Sequence, residues 1–225
     1  MRKLKTSRVQ LFKSIAEYFS DAMPAARSEL NYTNPFELLV AVILSAQCTD
    51  KRVNIVTPPL FAAMPTPKAM AASSVEEIFS FIRSVSFPNA KADHLHKMAS
   101  ALVEKFGSEV PQNRKDLESL SGVGRKTASV VLSVAFGHSE FAVDTHVFRV
   151  SARIGLSIGA KTPLDTELQL VEGFKQAGYG SMLGDAHHWI ILHGRYVCTA
   201  RKPKCNECGI TSLCTYYNTQ RPLQG

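Results

Sequence analysis

The sequence predicts an all-α protein, and three observations carry that prediction. Apolar residues recur at helical spacing in segment after segment. Many of those segments open on a capping residue, often followed by proline. No stretch of any length alternates apolar and polar residues as a half-buried strand would, and no internal repeat is present.

The elements follow in order. Leu4, Leu11, Phe12, Ile15, Tyr18 and Phe19 outline an amphipathic first helix. Asn34-Pro35 is a cap followed by a first-turn proline, and Phe36 to Leu44 is apolar on nearly every side, so that helix belongs at the centre of its domain. It runs out into the polar group Ser45-Ala46-Gln47-Cys48-Thr49-Asp50, in which Asp50 can cap a further helix through Val53 and Val56 that Pro58-Pro59 should kink or restart. Thr66-Pro67 starts a short helix, and Ser74-Val75-Glu76-Glu77 is a capping box leading into Ile78, Phe79 and Ile82. After the loop Ser86-Phe87-Pro88-Asn89, a helix bearing Leu95, Met98, Leu102 and Phe106 stops at Gly107. Farther on, Arg149 and Arg153 lie one turn apart on a helix ending at Gly155, and Thr162-Pro163 opens a helix through Leu168, Val171 and Phe174. His187, His188 and His193 lack the i, i+4 spacing of a helical metal pair between the last two, and are expected to pack or hydrogen-bond.

One stretch carries chemistry. In Leu120-Ser121-Gly122-Val123-Gly124-Arg125-Lys126-Thr127-Ala128, two glycines one residue apart form a tight turn between helices. The amides of the turn and of the next helix's first turn suit a phosphate oxygen. Lys126 sits in that first turn, where the helix dipole and Arg125 both disfavour a charged ammonium. Lowering a lysine from roughly 10.4 to about 7 or 8 takes on the order of 4 kcal/mol, and would make its amine a nucleophile. Asp144, in Val143-Asp144-Thr145-His146, reads as the cap of the next helix, and its carboxylate could take a proton or steady a cation. Read alone, Lys126 is equally a phosphate contact and Asp144 only a cap.

Four of the five cysteines form a C-x6-C-x2-C-x5-C array at Cys198, Cys205, Cys208 and Cys214. Clustered thiolates suit zinc and iron-sulfur clusters alike. Cys48 stands apart and reads as a small buried hydrophobe. The charge of +7 and the pI near 9.2 fit a polyanionic partner. The longest apolar run, Leu38 to Leu44, is far shorter than the roughly 20 residues that span a bilayer. The basic N-terminus has no signal-peptide core, so a cytoplasmic protein is expected, nucleoid-associated if bacterial.

The glycine hairpin with its lysine, the Val-Asp-Thr-His segment and the cysteine spacing together resemble the endonuclease III family of DNA glycosylases, in the helix-hairpin-helix superfamily, from about Leu11 to Cys214. The resemblance implies two helical lobes. One covers 28–137 and contains the hairpin, and the other joins 1–27 to 138–225 and carries a [4Fe-4S] cluster on the four cysteines. It implies a monomer acting on double-stranded DNA with damaged bases or abasic sites, laid across the cleft between lobes. Lys126 is then the nucleophile of a bifunctional glycosylase and lyase for oxidised pyrimidines, and Asp144 its acidic partner. Gln47 is expected to enter the duplex where the damaged base has left, an amide being able to face several orphaned bases. Phe87 is the candidate wedge into the base stack, although by itself it reads as an ordinary buried phenylalanine. Gly122, Gly124, Arg125, Thr127 and His146 are expected DNA contacts, as are Arg201, Lys202 and Lys204 in the loop between the first two ligands. Ser86 and Pro88 depart from the family's loop, which normally has glycine at the first of these positions, and Ser121 stands where most members have proline. Two other functions remain: a monofunctional mismatch or adenine-type glycosylase, which would not need Lys126, and a non-catalytic iron-sulfur DNA-binding module.

Overall fold

The computed structural model describes residues 3–220, with side chains for 8–219. The side chain of Leu4, expected on the first helix's apolar face, lies outside the described residues. Helices and short 3-10 turns make up the regular structure, with no strand among the described residues. None of these helices is long and apolar enough to cross a membrane. The chain divides into two compact units, Ser28–His138 and Met1–Arg27 with Ser139–Gly225.

The unit Ser28–His138 is built on α2 (Pro35–Ser45). Asn34 Oδ1 accepts from Glu37 N at 2.9 Å, and Phe36 together with every residue from Leu38 to Leu44 is buried. A helix apolar all round is stable only inside a ring of neighbours. Here α3 (Asp50–Ala63), α6 (Pro88–Lys105) and α8 (Arg125–Phe136) supply that ring. Thr49, one residue before the expected Asp50, caps α3. That helix also runs through Pro58 and Pro59 instead of restarting, because buried Val53, Val56 and Leu60 anchor it on both sides of the prolines. The capping box forms as the spacing predicts, with Ser74 N donating to Glu77 Oε2 at 2.8 Å and Glu77 N to Ser74 Oγ at 3.1 Å. It starts α5 (Val75–Ile82), which packs on α6, as α4 (Pro67–Ala72) also does, in the same core.

The other unit gathers α1 (Lys3–Ala22), α9 (Thr145–Ile154), α10 (Pro163–Gln176), α11 (Leu183–Tyr196) and α12 (Thr215–Gln220). Phe12, Ile15, Phe19, Phe141, Val147, Val150, Leu170, Phe174 and Trp189 fill its core. Phe12 meets Phe174 edge to face at 5.0 Å, a favourable aromatic geometry. Gly173 makes that possible, since a Cβ there would come within 2.1 Å of the Phe12 ring. Trp189 Nε1 donates to Met23 O at 3.1 Å and fixes α11 on the chain leaving α1. Leu168, placed by its spacing on the buried side of α10, is 60% exposed.

Candidate functional site

The hairpin lies between α7 (Arg114–Glu118) and α8. Leu117, Leu120 and Val123 are buried and pin the turn to the core, while Gly122 adopts φ 78 and Gly124 precedes α8 in extended backbone. The space beside Gly122 is closed, because a Cβ there would meet His94 at 3.1 Å. Gly124, the N-cap residue of α8, offers no side-chain oxygen to its first-turn amides. Arg125 and Lys126 are exposed at that end, and Thr127 is half-buried. Sequence reading missed the brace behind the turn. Arg114 donates to Arg125 O at 3.3 Å, to Ser129 Oγ at 2.9 Å and to Glu118 Oε1 at 3.2 Å, joining the two helices. The i, i+4 pair with Glu118 was its only sequence signal.

Asp144 caps α9 as its position predicts. Its Oδ1 accepts from Val147 N at 2.8 Å, and its Oδ2 lies 2.9 Å from His146 Nδ1. The preceding Phe141, Ala142 and Val143 are buried, and Ala142 O is bound by His187 Nδ1 at 2.7 Å, so the segment leading to Asp144 is held from behind. The carboxylate is therefore oriented by its own helix, with His146 beside it.

Gln47 and Phe87 both occupy left-handed backbone, each with φ 54, and both are exposed. Phe87 is 62% exposed, which removes the reading of it as an ordinary buried phenylalanine. Pro88 is the first residue of α6, where its fixed φ suits a helix start and its missing N–H costs nothing. Ser86 Oγ donates to the carbonyl of Gln47. Lys91 Nζ donates to Leu44 O at 2.8 Å and to Ala46 O at 2.7 Å. No pattern in the sequence singles out Lys91, which is only 5% exposed and whose ammonium burial pushes below its ordinary range, with nearby Cys48 opposing that shift. Cys48 itself is half-buried against the core rather than fully enclosed.

Cys198, Cys205, Cys208 and Cys214 line one pocket, walled also by Ile154, Val197 and Ile210, and none is in a disulfide. Burial and then the neighbouring sulfurs push the Cys208 and Cys214 thiols up, so these two are poorly disposed to be thiolates without a cation. Around a single zinc ion, with bonds of about 2.3 Å, sulfurs would converge on one point. Among the described residues no three metal-binding side chains converge in that way. Four cysteine sulfurs around one shared pocket are a donor set that a multi-iron cluster accepts. Arg153 braces the loop, donating to Thr199 O and Ala200 O at 2.8 Å each and to Cys198 Sγ at 3.4 Å, with its guanidinium 4.9 Å from the Tyr216 ring. Arg149 donates to Gly194 O at 2.9 Å and Cys198 O at 3.2 Å. The two arginines one turn apart thus hold the cysteine loop. Arg201, Lys202 and Lys204 are exposed between the first two cysteines, and Lys204 Nζ lies 4.0 Å from Glu207.

Comparison with known proteins agrees with this arrangement. Residues 40–176 match the HhH-GPD superfamily of base excision DNA repair proteins, and residues 198–214 match the iron-sulfur binding domain of endonuclease III. Endonuclease III of Haemophilus influenzae is 45% identical over 94% of this chain and 96% of its own. The Escherichia coli K12 endonuclease III is 45% identical over 86% of this chain and 89% of its own. Among solved structures, a trapped endonuclease III-DNA covalent intermediate in an estranged-adenine complex superimposes with a TM-score of 0.87 at 41% identity, covering 94% of this chain and 97% of that one. With the glycine hairpin, the capping Asp144 and the four-cysteine pocket in place, the chain belongs to the endonuclease III family of base excision DNA repair enzymes and carries that family's iron-sulfur binding domain.

Proposed function

We propose that this chain is a bifunctional DNA glycosylase and abasic-site lyase that removes oxidised pyrimidines from double-stranded DNA and works as a monomer. The observation that carries the reading is Lys126, an exposed primary amine in the first turn of α8, beside a hairpin whose N-cap residue, Gly124, has no side chain to cover the first-turn amides. The amides would hold a phosphate of the damaged strand, placing the amine at the sugar. Lys126, as the free amine, attacks C1′ with its nitrogen lone pair. The bond from C1′ to the base breaks, and the base leaves with the bonding electrons and a proton. Loss of a proton from nitrogen and opening of the sugar ring give an imine between Lys126 and C1′. Removal of a proton from C2′ then expels the 3′ phosphate by β-elimination and cuts the strand. Water finally releases the sugar fragment from Lys126. The Asp144 carboxylate, fixed by Val147 N and beside His146, would stabilise positive charge developing on the sugar or accept a proton. The covalent endonuclease III-DNA intermediate trapped in a relative supports a covalent route.

The four cysteines would hold a [4Fe-4S] cluster, whose contribution is to stiffen the loop bearing Arg201, Lys202 and Lys204. The test follows free base and strand cleavage separately on a duplex carrying thymine glycol. Wild type should give both at similar rates, and Lys126→Gln neither, with binding retained. Base release without cleavage in the wild type would instead point to a monofunctional enzyme, and binding without either product to a DNA-binding module.

A further inference from the structure

Gln47 and Phe87 lie 40 residues apart in sequence, yet share an uncommon backbone: each is a non-glycine residue at φ 54 with an exposed side chain. A side chain in the left-handed region is disfavoured unless its surroundings impose it. What imposes it at Gln47 is visible. Lys91 Nζ holds Leu44 O at 2.8 Å and Ala46 O at 2.7 Å, immediately before the turn, and Ser86 Oγ holds the carbonyl of Gln47 itself. The same two residues frame Phe87. Ser86 precedes it, and Lys91 N donates to Phe87 O at 3.1 Å, the first hydrogen bond of α6. Each turn is therefore fastened to the other by both residues.

The chemistry of the fastening is costly for a purely structural part. Lys91 is 5% exposed, and its ammonium is bound by two backbone carbonyls at the end of α2 rather than by a carboxylate. The negative end of the α2 dipole favours a cation there, but an apolar side chain would avoid the desolvation altogether. Burial pushes the Lys91 pKa down, consistent with a cation held at a cost. What the ammonium gives in return is a fixed position for the two carbonyls that lead into Gln47.

We infer that Lys91 and Ser86 are positioning residues that lock the Gln47 and Phe87 turns into one rigid element, so that amide and aromatic ring enter a damaged duplex together. This rests on the reading of the chain as a base-flipping glycosylase. Gln47 fills the vacated position, and Phe87 keeps the stack parted beside it. Flipping a base requires unstacking and unpairing, a cost that a pre-set pair of side chains offsets and a loose pair offsets less. The lock therefore matters in proportion to the stacking that must be undone. It matters most for a lesion still paired with its partner and least for an abasic site, where no base has to leave.

The variants are Ser86→Ala, Lys91→Met and, as the conservative control, Ser86→Thr. Single-turnover rates are measured on duplexes with thymine glycol opposite adenine and with an abasic site opposite adenine. Ser86→Ala and Lys91→Met should lose about tenfold or more on thymine glycol and less than about threefold on the abasic site, with Ser86→Thr close to wild type. A second readout needs no catalysis. A 2-aminopurine opposite a stable abasic analogue brightens as Gln47 and Phe87 invade, and both variants should reduce that brightening at saturating protein. Equal losses on the two substrates with unchanged brightening would overturn the inference, as would no loss on either. If Lys91→Met does not fold, Ser86→Ala, which removes one hydroxyl from a half-buried serine, decides alone. If wild type neither releases base nor cuts, the enzymatic reading fails, and the fluorescence still reports whether the lock drives invasion.

Discussion

Asp144 caps α9, and a pair of substitutions separates that job from the catalytic one proposed for it. As a cap it accepts from Val147 N at 2.8 Å, and its second oxygen faces His146 Nδ1 at 2.9 Å. Replacing a capping aspartate by alanine costs about 1 kcal/mol, within a range of roughly 0.5–2. The contact with His146, whose side chain is 31% exposed, adds at most about 1 kcal/mol. Asp144→Ala should therefore lower the stability of its unit by about 1–2 kcal/mol. Asp144→Asn keeps an oxygen for Val147 N and caps about as well, so it should lose at most the His146 contact, about 1 kcal/mol or less. Catalysis should divide the other way: both substitutions remove the negative charge, and both should slow base release by about 10²–10³-fold. Urea unfolding followed by circular dichroism reads the first effect, and single-turnover base release on thymine glycol duplexes the second. If Asp144→Asn unfolds as easily as Asp144→Ala, the cap is not what the oxygen contributes. If Asp144→Asn keeps its activity, the charge plays no part in the chemistry.

Other outcomes follow from the same geometry. Gly173→Ala drives a methyl group into the Phe12 ring, 2.1 Å away, and overpacking of a core aromatic should cost about 1–3 kcal/mol in urea melts; an unchanged midpoint would mean the ring moves freely. Arg153→Gln removes the fork that holds Thr199 O and Ala200 O, so the purified protein should carry less iron per chain and less visible absorbance, and full iron content would refute that bracing role. Arg201→Gln and Lys202→Gln should each flatten the log-log salt dependence of DNA binding by about 0.9 if each meets one phosphate. Lys204→Gln, whose ammonium already lies 4.0 Å from Glu207, should change it less, and three equal slopes would contradict this ordering.

Local signals were legible and distant partnerships were not. The caps at Asn34, Thr66, Ser74, Asp144 and Thr162 could be read because a capping oxygen and the amide it takes are three residues apart. The hairpin and the cysteine array could be read because their spacing is itself the constraint. Lys91, by contrast, looks like one more lysine on an amphipathic helix, and its carbonyl partners at Leu44 and Ala46 lie 47 and 45 residues away. Ser86 shows as a departure from the family's glycine, but nothing in the sequence says that its hydroxyl meets Gln47, 39 residues earlier. Arg149 and Arg153 could be placed on one helix face, but not against the end of α11 and the loop after it, 45 to 49 residues on, whose carbonyls they bind. The helix through Pro58-Pro59 also escaped the sequence, because the burial of Leu60 that carries it onward depends on tertiary packing.

If Lys126 is the nucleophile, its amine becomes covalently joined to the damaged sugar. Borohydride reduction during reaction tests it most directly, using duplexes with thymine glycol, an abasic site or undamaged thymine. The account predicts a stable protein-DNA adduct on the two damaged duplexes, none on undamaged DNA and none with Lys126→Gln, with the adduct mapping to Lys126 by mass spectrometry. An adduct that persists in Lys126→Gln, or no adduct from a wild type that binds the damaged duplexes and keeps its full iron content, would contradict it.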